Sequence, residues 1–167
     1  FWGDGAERGP DFTADALHRT GVAMRAFYEQ QGGGNLPQYD KDAIDVRVIR
    51  EIKTNTWNES AKQIVINDAQ IHAFNELKAH YTRMFNDPEY EEAFKPSGAI
   101  SAPEDIEALT AFFFWGGWVS GAERPGQTYS YTHNWPYDPS TGNLPTNQTM
   151  VWSFVSIFGL FLGILVI

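Results

Sequence analysis

The chain has 167 residues, 21 acids against 12 bases, a net charge of −9 and no cysteine. That length suits one domain with a real core, and the charge argues against a nucleic-acid partner, which selects a basic face. The missing cysteines exclude disulfides, thiolate metal sites and covalent c-type haem through C-x-x-C-H.

Phe1–Pro10 reads as a glycine-rich loop, and no Gly-Lys-Ser/Thr follows that would make it a phosphate loop. Thr13 is the predicted cap of a first helix to about Gln30, with Asp15 in its first turn. Phe12, Ala16, Leu17, Met24, Phe27 and Tyr28 form its apolar stripe, and His18 and Arg25 fall one step off it. The three glycines 32–34 then mark a turn.

A second helix is expected from Asp40 or Asp42 to Lys53, burying Ile44, Val48, Ile49 and Ile52. Gln63–Ile66 reads as a short extended piece. Asn67 and Asp68 cap a third helix to about Phe85, with Ile71, Phe74, Leu77, His80 or Tyr81 and Met84 on one face. Asp87-Pro88 ends it, and the acidic turn Glu89–Phe94 follows. Ser101-Ala-Pro-Glu104 has the form of a capping box with proline in the first turn. The helix it starts carries Ile106, Leu109, Phe112, Phe113 and Trp115, and is expected to fade at Gly116-Gly117. The expected fold class is all-α.

Charge then disappears. Of the acids, 19 precede Thr110, as do 11 of the bases; only Glu123, Arg124 and Asp138 follow. The stretch Trp115–Thr146 is aromatic and rich in Gly and Pro. Its Tyr129, Tyr131, Trp135 and Tyr137 alternate with polar residues, which predicts one buried face and one wet face. Val151–Ile167 has 17 residues and no charge. At about 1.5 Å per residue it falls short of the roughly 30 Å hydrocarbon core, as a transmembrane helix cut before its end would. The first residue, Phe1, likewise suggests a fragment. No Lys or Arg lies between Pro125 and the apolar run, so the soluble part is expected on the outer side of the membrane. The region between is a joint from soluble domain to membrane.

Catalytic signals are absent. His18, His72, His80 and His133 show no metal-ligand spacing, and His72 and His80, two turns apart on one helix, are too far apart to share an ion without a third group. No general acid–base pair and no Ser-His-Asp arrangement stands out.

Three segments carry a family resemblance: GPDFTADALHR (Gly9–Arg19), AFFFW (Ala111–Trp115) and ERPGQTYSYTHNWPYDPSTGNLPT (Glu123–Thr146). Together they resemble the N-terminal part of quinol-dependent nitric oxide reductases, whose usual motif is RPG-x-x-YSYTNNWP-x-DP-x-x-GN-x-PT. His133 departs from the usual asparagine. The resemblance implies a haem-free cytochrome-c-like domain over 1–148, on the periplasmic side of the cytoplasmic membrane, and the start of a transmembrane helix over 149–167. It implies an enzyme coupling two NO to N2O and water with electrons from quinol. Haem b, haem b3 and a non-haem iron would sit in a core of further transmembrane helices, and those helices, quinol, NO and the lipid bilayer would be the partners.

Arg124, Tyr129, Tyr131, Asn134 and Trp135 are the joint residues this motif singles out. Cytochrome-c-linked relatives place a Gly-Ala-Tyr near a calcium ion; here Gly5-Ala6-Glu7 stands in that loop, making Gly5 and Glu7 the candidate calcium residues. Nitric oxide dismutases resemble the same region, and a non-catalytic membrane-anchored subunit is the alternative of another class.

Overall fold

The computed structural model describes residues 11–90, 98 and 100–166. The opening loop Phe1–Pro10, with Gly5 and Glu7, lies outside the described residues, as do Glu91–Phe94 of the acidic turn. The protein is all-α apart from one small hairpin: α1 (Phe12–Gln31), α2 (Gln38–Lys53), β1 (Trp57–Asn58), β2 (Gln63–Ile64), α3 (Asp68–Asn86), α4 (Pro103–Gly121) and α5 (Asn147–Val166). The strands pair antiparallel, Trp57 opposite Ile64.

Helix α1 is the central element, packed against α2, α3 and α4. Its start is set by Asp11, whose Oδ1 accepts from Thr13 N at 3.0 Å and Ala14 N at 3.1 Å. Thr13 therefore lies inside the helix and not at its cap, because the carboxylate two residues earlier takes the free amides. Helix α2 begins after Pro37, ahead of both expected aspartates. At α3 the expected cap is present in full: Asn67 Oδ1 accepts from Gln70 N, and Gln70 Oε1 accepts from Asn67 N. At α4 the expected capping box is not. Ala102 holds the cap position with no side-chain hydrogen bond, and Pro103 alone fixes the first turn.

The core lies on both sides of α1. Leu17, Met24 and Tyr28 pack with Val48 and Ile52 of α2 and Ala69 and Ala73 of α3. Ala16 packs with Leu77, Tyr81, Met84 and Phe85 of α3 and Ile106 and Phe113 of α4. Phe12 closes this second cluster by stacking on Phe113, centroids 4.3 Å apart. Each fully buried Leu, Phe or Ile there contributes about 1.5–3 kcal/mol of transfer free energy.

Helix α4 runs past Gly116-Gly117 to Gly121, so the predicted fading there is wrong. These glycines do not end the helix because they are where it crosses α1. A Cβ on Gly117 would stand 3.2 Å from the Leu17 backbone nitrogen. The crossing also rotates α4, burying Thr110, Gly116, Gly117 and Ser120 and leaving Phe112 and Trp115 nearly half exposed and stacked on each other at 5.8 Å. Ile71 is likewise exposed on α3, where the small Ala69 and Ala73 face α1 instead.

Candidate functional site

The joint from Ala122 to Thr146 is held largely by backbone and side-chain hydrogen bonds. Isolated bridges join Glu123 to Ser130 and Asp138 to Asn143, and a single 3-10 turn spans Pro139–Thr141. Asp138 starts that turn by accepting from Ser140 N at 3.0 Å. Gly142 ends it in the left-handed region, φ 77°, which glycine adopts without strain.

The expected alternation of a buried and a wet face is present, and the polar residues take the buried face. Ser130, Asn134, Thr141 and Asn143 are the buried residues, whereas Tyr131, Trp135 and Tyr137 face outward. The reason is backbone hydrogen-bond demand. A segment without regular structure has many free carbonyls and amides, and short polar side chains pointing inward satisfy them. Asn143 Nδ2 donates to Ser120 O at 3.0 Å and to Pro136 O at 3.1 Å. Asn134 Nδ2 donates to Leu144 O at 3.1 Å, and its Oδ1 accepts from Ser130 N at 3.0 Å.

Both amide oxygens converge on one cation. Lys53, the last residue of α2, donates from Nζ to Asn143 Oδ1 at 2.6 Å and to Asn134 Oδ1 at 3.1 Å. Burial pushes the Lys53 ammonium down to about 8, against the pull of the neighbouring Glu123 carboxylate. Lys53 and Asn143 do not stand out in the sequence, where they read as a helix-terminal base and a turn residue. The local signal is the density of Asn, Ser, Thr and Gly between the aromatics.

The remaining joint residues occupy distinct positions. Arg124 N donates to Tyr129 O at 3.0 Å, and its guanidinium lies 5.9 Å from the Tyr131 ring. Tyr131 accepts from Asn55 Nδ2 at 3.0 Å. Tyr129 stacks on His133, centroids 4.5 Å apart, and His133 O accepts from Thr146 N at 3.1 Å immediately before α5. Trp135 is exposed, and its indole has no hydrogen bond or ring contact among the described residues. Lys53 thus joins Asn134 to α2, and the other four motif residues line the outer side of the joint.

On the far side of the turn, Arg25 of α1 donates to Asp45 Oδ1 and to Ser140 O. His18 Nδ1 approaches Asp138 Oδ2 at 3.2 Å. Burial raises Asp138, but the Ser140 and His18 hydrogen bonds outweigh it and hold the carboxyl below its ordinary value.

Two cavities lie against α1. The cavity lined by Leu17, Ile52, Gln70 and Trp118 holds about 20 Å³, room for one water, against the hundreds of Å³ of a cofactor pocket. The groove of about 530 Å³ between α1 and α3 is lined by His18, His72 and His80. Among the described residues no three His, Asp or Glu side chains are grouped to hold a metal.

Helix α5 begins at Asn147, before the apolar run, and is largely exposed along its described length. It is long and apolar enough to cross a membrane, with a mean hydropathy of 2.2.

Among curated proteins no match is found. Residues 1–137 match the NorB cytochrome c-like domain, a family of nitric oxide reductases. That match covers most of the chain and runs through the Lys53–Asn134 contact, and with it the chain belongs to the NorB family of nitric oxide reductases.

Proposed function

We propose that this chain is the extracytoplasmic, haem-free cytochrome-c-like domain of a quinol-dependent nitric oxide reductase, leading into a membrane helix at α5. The enzyme would reduce two NO to N2O and water with electrons from quinol. Haem b, haem b3 and a non-haem iron would be carried by further helices of the cytoplasmic membrane. The family match over 1–137 carries this reading, because it joins a cytochrome-c-like soluble part to a nitric oxide reductase. The domain's own task would be to cap those helices on the periplasmic side. Two features support a cap: a joint hydrogen-bonded up to the last residue before α5, and outward-facing Tyr131, Trp135 and Tyr137.

The purified protein's intact mass and reduced-minus-oxidised spectrum test this. A mass far above 18.8 kDa with b-type haem bands is expected. A mass matching these residues, without haem, would transfer the catalytic role to a partner.

A further inference from the structure

Half of the described lysines and arginines are matched to acids. Arg19 pairs with Asp15, Arg25 with Asp45, Arg47 with Glu51, Lys62 with Glu59 and Lys78 with Glu107. Lys41 and Arg83 lack an acid at ion-pair distance among the described residues, but neither lines a cavity with another such cation. Arg50, Lys53 and Arg124 have no acid at ion-pair distance among the described residues, and all three line one cavity.

That cavity, about 430 Å³, lies between the end of α2 and the turn Glu123–Gln127. Glu123 is the only acid among the described residues of its wall, so three cations face one carboxylate. Lys53 has two of its three protons committed to Asn143 and Asn134, leaving one donor. The Arg50 and Arg124 side chains form no hydrogen bond among the described residues, so both guanidinium forks are open. Part of this charge offsets the carbonyl end of α2, where Lys53 O and Arg50 O already accept from Glu123 N and Thr54 N. Arg124 belongs to another segment and is not needed for that task.

The cavity is coupled to the start of α5 by few steps. Its wall residue Arg124 bonds Tyr129, the bridge Glu123–Ser130 follows, Ser130 O accepts from His133 N, and His133 O accepts from Thr146 N. If α5 enters the bilayer, these hydrogen bonds tie this wall to the point of entry. We propose that Arg50, Lys53 and Arg124 form a binding pocket for a phosphate group, supplied by the headgroup of an anionic phospholipid around α5. Planar guanidinium forks match the phosphate oxygens, and a neutral lipid surface offers no net anion to this pocket. The inference rests on reading α5 as a membrane span.

The test uses the full protein as extracted from membranes, with R50Q/R124Q against wild type and R47Q as a control outside the pocket. Recovery of all three from the membrane fraction checks the span itself. Each is placed in nanodiscs of phosphatidylglycerol and phosphatidylcholine, and retained lipid is counted by native mass spectrometry. Wild type and R47Q should retain phosphatidylglycerol about tenfold more than R50Q/R124Q does. Inorganic phosphate at millimolar concentration should not displace it. Equal retention by R50Q/R124Q in the membrane fraction would overturn the pocket. Displacement by inorganic phosphate would overturn the lipid source, and absence from the membrane fraction would overturn the span instead.

Discussion

Lys53 and Asn143 lie 90 residues apart, yet Lys53 Nζ donates to Asn143 Oδ1 at 2.6 Å, pinning the end of α2 to a fully buried amide in the joint. The same amide donates to Ser120 O at the end of α4. One side chain therefore registers two helices and an irregular loop.

Lys53→Met should lower stability by about 1–3 kcal/mol at pH 7, because Asn143 Oδ1 loses its donor in a site closed to water. The difference should also depend on pH. The folded value of Lys53 is about 8, below the ordinary 10.5. Between those values the unfolded chain binds more protons, so wild-type stability rises with pH relative to the Met variant, by about 1–2 kcal/mol from pH 8 to 10. Urea unfolding of both proteins at pH 7, 8 and 10 checks this; a gap that narrows with pH would contradict the assignment.

Asp15 gives a different dependence, confined to acid. Burial raises its carboxyl, but hydrogen bonds with His80, Arg19 and Tyr81 outweigh that and hold it below 3.8. Tyr81 O–H donates at 2.8 Å and Arg19 Nε at 2.7 Å. A folded value below the unfolded one stabilises above about pH 4 and is lost as pH falls through the folded value. Asp15→Asn should cost about 1–2 kcal/mol at pH 7, with the gap closing as pH falls through the folded value. Acid titration of the unfolding midpoint reads this directly.

Much of the helical fold was legible in the sequence. The α1 stripe, the Asn67 cap and the end of α3 at Asp87 follow from periodicity and capping chemistry, which are local. Three features were not legible, and for two of them the reason is a contact outside the local sequence. Ser101 and Glu104 have the capping spacing, but α4 starts without using it. Gly116-Gly117 resembles a helix end, and only the approach of α1 explains its continuation. The joint's alternation was visible, but its direction depended on where free backbone groups needed partners.

Gly117 gives a packing test of that crossing. Gly117→Val places branched carbons against the Leu17 backbone, 3.2 Å from the first added atom. Overpacking should cost about 2–3 kcal/mol. Gly159→Val on α5, where nothing lies within 4 Å, should leave the soluble core's unfolding unchanged. Equal effects in the two variants would refute the close crossing.

Trp135 separates folding from docking. Its exposed indole has no partner among the described residues, so Trp135→Ala should change the soluble core's stability by under about 0.5 kcal/mol. If its outward face rests on the membrane or on other helices, assembly should fall several-fold, read as haem bound per protein after extraction. Tyr131→Ala would add a stability loss, since Tyr131 also accepts from Asn55. Undiminished haem content in Trp135→Ala would remove this residue from the cap.

The central claim is tested most directly by supplying NO anaerobically to the purified full protein with a reduced quinol, and separately with reduced cytochrome c, while N2O and O2 are followed by mass spectrometry. The account predicts N2O formation sustained by the quinol and not by cytochrome c, with no O2. Release of O2 from NO, or turnover supported only by cytochrome c, would contradict it.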